Sequence, residues 1–258
     1  MKFCTIASGS KGNMTFVSTK ATKIVIDAGI SHLEAKKRLA GKDIDLQGLS
    51  AVLITHEHGD HVKFLVTFLK KTQAHLYISA LSYQKLDEEI KQQLTSFSVH
   101  FMEANKRYQI GDLEFLTLKL SHDSVDILGF VFIEGSKRLA YVADTGFFPL
   151  HYLDLLKEVD GLIIESNHDV EMLLESDRST ALKERILSPF GHMSNFICQQ
   201  ILSAVINDRH RVILLAHISE ECNDFALIKR DIIDSLPSHE QLEIRVAGQW
   251  EASKVYEL

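Results

Sequence analysis

The stretch ITHEHGDH at 54–61 constrains this chain more than any other. Six of its eight positions carry a group able to hold a cation or a proton. His56, His58, Asp60 and His61 fall within six residues. The stretch continues the apolar run AVLIT (51–55), which reads as a buried strand. A strand that runs into His-x-His sets two imidazoles on one side, because strand side chains alternate. Gly59 then turns the chain. Asp60 and His61 open a helix whose apolar face is Val62, Leu65, Val66 and Leu69. Four ligands from one strand-to-helix turn can face one cavity from two directions. Imidazole and carboxylate together suit zinc, manganese or iron.

One loop cannot complete two metal shells, so further ligands must come from other strand ends. His122 follows LEFLTLKLS, Asp144 follows LAYVA and His217 follows VILLA. Each lies just past an apolar run, where α/β folds tend to place their chemistry. His32, His75, His100, His151, His210 and His239 lack that setting and read as ordinary surface or core residues.

Around these positions the chain reads as strands near 3–8, 14–19, 23–28, 51–55, 75–79, 98–102, 113–120, 128–134, 138–143, 161–165 and 211–216. Helices are expected near 31–40, 150–157, 180–187, 195–206 and 224–235, with strands closing the chain. Two strand-rich halves with helices between and after them predict packed sheets covered by helices. No repeat, low-complexity segment or Pro/Gly-rich linker divides the 258 residues, which predicts a single domain over 1–258. No run approaches the roughly 18 apolar residues of a membrane span. Three scattered cysteines, Cys4, Cys198 and Cys222, argue against a disulfide framework and predict a reducing, cytoplasmic setting. The formal charge of −7 weighs against a broad nucleic-acid-binding face. Two bound divalent cations would offset part of it locally.

Taken together, HEHGDH, SHD, ADTG and LAHIS resemble the metallo-β-lactamase superfamily over essentially the whole chain. CTIASGSKGN (4–13), IVIDAGIS (24–31), ESNHDVEML (165–173) and GHMSN (191–195) narrow the resemblance to its YycJ/WalJ subfamily. That resemblance implies an α/β fold, a four-layer αββα sandwich, and a DNA-processing metallohydrolase with 5′-to-3′ exonuclease activity. It implies two divalent cations, zinc or manganese with iron also open, and no organic cofactor. His56, His58 and His122 would hold the first metal, and Asp60, His61 and His217 the second. Asp144 would bridge them, and a hydroxide shared by the metals would attack the phosphodiester. Asp27 would orient a ligand histidine. The resemblance also implies Asp60 as a catalytic residue, together with His192 of GHMSN, a candidate proton donor to the leaving oxygen.

Other residues stay open at this level. His168 could touch substrate or metal. The loop at 7–13 could offer backbone N–H groups to phosphate or be a plain hairpin turn, with Asn13 its residue of interest. Arg178, Lys183 and Arg185 could follow a nucleic-acid backbone or simply be solvated. Cys222 reads as a free thiol. A small-molecule phosphodiesterase, or another hydrolase of the same fold, is the alternative to a DNA exonuclease. A (β/α)₈ amidohydrolase would also use His-x-His after a strand, but the consecutive strands at 98–143 oppose it. A metal-holding scaffold without turnover is the reading from a third class.

Overall fold

A computed structural model describes all 258 residues. The strands are β1 (Lys2–Ala7), β2 (Met14–Ser18), β3 (Lys23–Ile26), β4 (Ala51–Leu53), β5 (His75–Ser79), β6 (Val99–Met102) and β7 (Arg107–Ile110). They continue with β8 (Leu113–Lys119), β9 (Leu128–Glu134), β10 (Lys137–Val142), β11 (Gly161–Glu165), β12 (Val212–Ala216), β13 (Glu243–Val246) and β14 (Tyr256–Glu257). The chain forms two compact units that interleave in sequence. The first comprises Met1–Lys119, Ser124–Ser136 and Gly248–Leu258; the second comprises Leu120–Asp123 and Lys137–Ala247.

In the first unit one sheet runs β14-β1-β2-β3-β4-β5-β6. Its β14–β3 portion is antiparallel, and β3 to β6 are parallel. The switch follows from the connections. Short turns join β1, β2 and β3, whereas a helical crossover through His32–Arg38 returns the chain to β4. β4 is buried along its whole length, as a strand with parallel neighbours must be when both faces are covered. Ile54 before the histidine loop and Leu65, Phe68 and Leu69 after it belong to the same core. β7, β8 and β9 form an antiparallel meander in the same unit. Phe115 of β8 meets Tyr77 of β5 edge-on at 6.2 Å between ring centres.

The second unit is built on four parallel strands, β10-β11-β12-β13. β11 (GLIIE) and β12 (VILLA) are buried at every position. Helix Thr180–Leu187, capped by the Ser179 hydroxyl, buries Ile186 against Leu173 and Cys222. Helix Asn195–Val205 is capped by Ser194 in the same way. All three cysteines are buried free thiols, as expected. No helix is long and apolar enough to cross a membrane.

Candidate metal centre

In the first unit the chain leaves β4 at Leu53, short of His56. The histidines therefore lie beyond the strand, and side-chain alternation does not align them. The turn does. His58 is the N-cap of the one-turn helix Gly59–Val62, which carries Asp60 and His61 in its first turn. The His56 ring lies 4.6 Å from that of His58 and 4.1 Å from that of His61. Rings this close, with His56 and His61 both buried, suit donors that share a cation better than solvated side chains.

His56 and His61 are oriented from behind. Asp27 stands just past β3 and is fully buried. Its Oδ2 lies 2.8 Å from His61 Nδ1, and its Oδ1 accepts the Thr55 N–H at 2.9 Å and the Thr55 hydroxyl at 3.0 Å. Burial raises the Asp27 carboxyl above its ordinary value, although the His61 charge and these hydrogen bonds oppose the rise. The Thr55 hydroxyl also reaches His56 Nδ1 at 3.0 Å. Asn13 Nδ2 donates to Asp60 Oδ2 at 3.1 Å and lies 3.0 Å from His61 Nε2. Gly29 permits this approach, because a Cβ there would lie 1.8 Å from the Asp60 carbonyl oxygen.

The loop carrying Asn13 does not cradle a phosphate. The N–H of Gly9 goes to Asn13 Oδ1, that of Lys11 to Gln249 Oε1, that of Gly12 to Gly9 O and that of Asn13 to Asp60 O, at 2.8 to 3.0 Å. With these amides already satisfied, the phosphate reading of 7–13 gives way to a closed turn that positions Asn13.

In the second unit Asp144, Glu165, His192 and His217 each place a ligand atom within 4.8 Å of one another. Asp144 follows β10 and His217 follows β12, both at strand ends as the sequence implied. Glu165 closes β11 and is fully buried. It accepts from the Thr145 N–H at 2.7 Å through Oε2, and its Oε1 lies 2.7 Å from His192 Nδ1. Desolvation alone would raise the Glu165 carboxyl. The His192 charge and the hydrogen bonds with His192 and His217 outweigh it and hold the group below its ordinary value. His217 Nδ1 lies in close contact with Asp144 Oδ1 and 3.3 Å from Glu165 Oε1. Burial lowers its imidazole, but Asp144 and Glu165 prevail and push it up to about 10. A buried set this rich in carboxylate draws positive charge, whether a proton or a metal ion.

His122 donates Nδ1–H to the Gly191 carbonyl at 3.0 Å, which leaves Nε2 as its ligand atom. Burial lowers its pKa and keeps the ring neutral, the form that binds metal. Three of the residues at these strand ends, Asp27, Asp144 and His217, have left-handed backbone with φ of 63°, 56° and 54°. Such values are uncommon outside glycine and cluster at functional sites. The buried imidazole–carboxylate donors therefore fit divalent cations.

His168 stands apart from the four-donor set. It is 1% exposed, neither ring nitrogen has a hydrogen-bond partner, and burial pulls its pKa down to about 4. Arg178 pairs with Glu221, Arg185 with Asp123, and Lys183 Nζ donates to Leu174 O. The basic residues of that segment are thus engaged with the protein itself. Two contributors were not singled out in the sequence. Thr55 has no signal beyond its place beside His56. Glu165 had one, as the charged residue of the otherwise apolar, fully buried β11.

Residues 22–218 match the family model described as the beta-lactamase superfamily domain. The exodeoxyribonuclease WalJ of Streptococcus pneumoniae serotype 2 (strain D39 / NCTC 7466) is 31% identical over 236 residues, covering 91% of this chain and 88% of that protein. The exodeoxyribonuclease YycJ of Bacillus anthracis is 31% identical over 223 residues, covering 86% and 84%. Among solved structures, the metallo-beta-lactamase fold protein YhfI from Bacillus subtilis matches over the full length of both chains with a TM-score of 0.72 at 16% identity. That likeness is one of fold, and it is the α/β sandwich the motifs implied.

Proposed function

The chain belongs to the beta-lactamase superfamily as a metallohydrolase, and from that membership we propose that it hydrolyses phosphodiester bonds of DNA, removing nucleotides from the 5′ end. The reading uses two divalent cations, zinc or manganese. In that reading His56, His58, Asp60 and His61 of the histidine loop would hold them, together with His122, Asp144 and His217. When bound, such cations supply an activated water at neutral pH and neutralise charge on the phosphate.

The observation that carries the proposal is the hydrogen bond between His192 and the buried Glu165 beside Asp144 and His217. With Nδ1–H held by a carboxylate, His192 has a fixed orientation, and Nε2 is the atom left to deliver a proton. Glu165 compensates the positive charge the ring carries while it acts as an acid. A phosphodiester in DNA expels an alkoxide, a poor leaving group, and such a reaction gains most from a placed proton donor. Asp27 and Thr55 hold His61 and His56 in their tautomers, and Asn13 holds Asp60. These three are positioning residues.

The test is hydrolysis of 5′-labelled single-stranded and duplex DNA by metal-stripped protein to which Mn²⁺ or Zn²⁺ is restored. Release of labelled mononucleotide that disappears in Asp144→Ala supports the reading. Turnover of bis-p-nitrophenyl phosphate with DNA left intact would refute the substrate class and favour a small-molecule phosphodiesterase. The net charge of −7 and the internal pairing of Arg178 and Arg185 make that the second reading.

A further inference from the structure

If Arg178, Lys183 and Arg185 are engaged internally, any strand held near the donors needs other cations. Most basic side chains with a described contact meet a carboxylate or a carbonyl. Among the lysines of the first unit without such a partner, Lys63 and Lys85 line one cavity, of about 370 Å³. Its wall includes Glu57 and Gly59 of the histidine loop itself, so it adjoins the donor residues along the chain. Lys63 directly follows the helix that carries Asp60 and His61, and Lys85 ends helix Ala80–Lys85. Both are exposed. Lys63 Nζ lies 5.6 Å from the centre of the Phe64 ring, and neither ammonium pairs with a carboxylate.

The acidic residues of the same wall do not cancel them equally. Glu57 is turned into the fold, with Oε1 accepting the Val125 N–H at 2.9 Å and Oε2 the Ser82 hydroxyl at 3.0 Å. Asp87 is exposed and its carboxylate caps no helix N–H, so it is the opposing charge that an anion would meet. We propose that this cavity is a backbone subsite, in which Lys63 and Lys85 bind phosphates of a nucleic-acid strand alongside the histidine loop. The proposal rests on the DNA reading above and names the residues that would hold the substrate. Lysine suits this task as a flexible point charge on a single phosphate. Contacts to phosphate carry no base information, so the subsite positions a strand without selecting its sequence.

The experiment compares Lys63→Gln, Lys85→Gln and Asp87→Asn with wild type in the metal-loaded full chain. KM and kcat are measured for an oligonucleotide between about 50 and 200 mM KCl, the range over which phosphate contacts are most salt-sensitive. Each lysine variant should raise KM by about 3- to 5-fold at the lowest salt, the scale of one exposed charge contact. It should flatten the slope of log KM against log salt by ~0.7 on single strands and ~0.9 on duplex. A kcat within about twofold of wild type separates strand holding from damage to the chemistry. Asp87→Asn should lower KM. Wild-type turnover of DNA with variants that keep its KM and salt slope would overturn this inference alone. Wild-type protein that leaves DNA intact while cleaving a small diester would overturn the function reading, and this inference with it.

Discussion

Replacing Glu165 by glutamine tests the proton-donor step. The carboxylate uses Oε1 toward His192 and Oε2 toward the Thr145 N–H, both at 2.7 Å, in a site with no exposure. A glutamine amide offers only one acceptor oxygen, so one of those two donors faces an NH₂ group. Leaving a buried donor unmatched costs about 1–3 kcal/mol, and the melting temperature should fall by roughly 2–4 °C per kcal/mol. A hydrogen bond to a charged partner contributes about 1.5–3 kcal/mol. If that support acts while His192 delivers its proton, kcat on DNA falls about 10- to 150-fold. Bis-p-nitrophenyl phosphate provides the control, because p-nitrophenolate leaves without needing a proton. The expected result is a large loss on DNA and a small one on the diester, with His192→Ala repeating the pattern. Equal losses on both substrates would refute the donor role and make Glu165 a structural or metal-holding residue.

Further outcomes follow from the same geometry. Asp27→Asn should weaken metal binding by about 10- to 100-fold, read as metal retained per chain after dialysis against a chelator. His58→Ala and Asp144→Ala should abolish turnover with an unchanged circular dichroism spectrum; full activity in either would sink the metal mechanism. In metal-free protein His217, raised to about 10, stabilises the fold fully below its unfolded value near 6.5. That contribution should decline as pH climbs toward 10, so urea midpoints should drop over this window, and less steeply in His217→Gln. Gly29→Ala would set a Cβ 2.4 Å from Asn13 N as well as against Asp60 O, costing about 1–3 kcal/mol or more and displacing both side chains. A Gly29→Ala protein that melts at the wild-type temperature would contradict the close approach.

Much of this was legible in the sequence because the signals were dense. Four donors in one turn are hard to form by chance, and the bounds of β5, β9 and β11 follow their apolar runs residue for residue. Where elements are short the periodicity has too few points to register. β7, helix Ala80–Lys85 and helix Glu88–Leu94 were not expected. The helix expected over 224–235 is instead one α-turn, Phe225–Ile228, followed by a π-turn over Lys229–Ile233. Glu165 was passed over because a carboxylate at a strand end looks the same whether it meets solvent or a buried imidazole. Arg178 and Arg185 show the reverse case. Their charge is plain in the sequence, while their carboxylate partners lie 43 and 62 residues away.

The left-handed backbone at Asp27, Asp144 and His217 bears on how such a protein can change over generations. Each non-glycine residue held there costs about 1–2 kcal/mol, and glycine would remove that cost outright. Glycine at Asp27 would also strip His61 and Thr55 of a buried partner, and at His217 it would remove the contacts that stabilise the metal-free fold, so at these positions the backbone cost is offset by the same side chains that serve the donors. A glycine variant at any of the three would be inert whatever its stability, so any search for a hardier protein has to screen turnover in the same round.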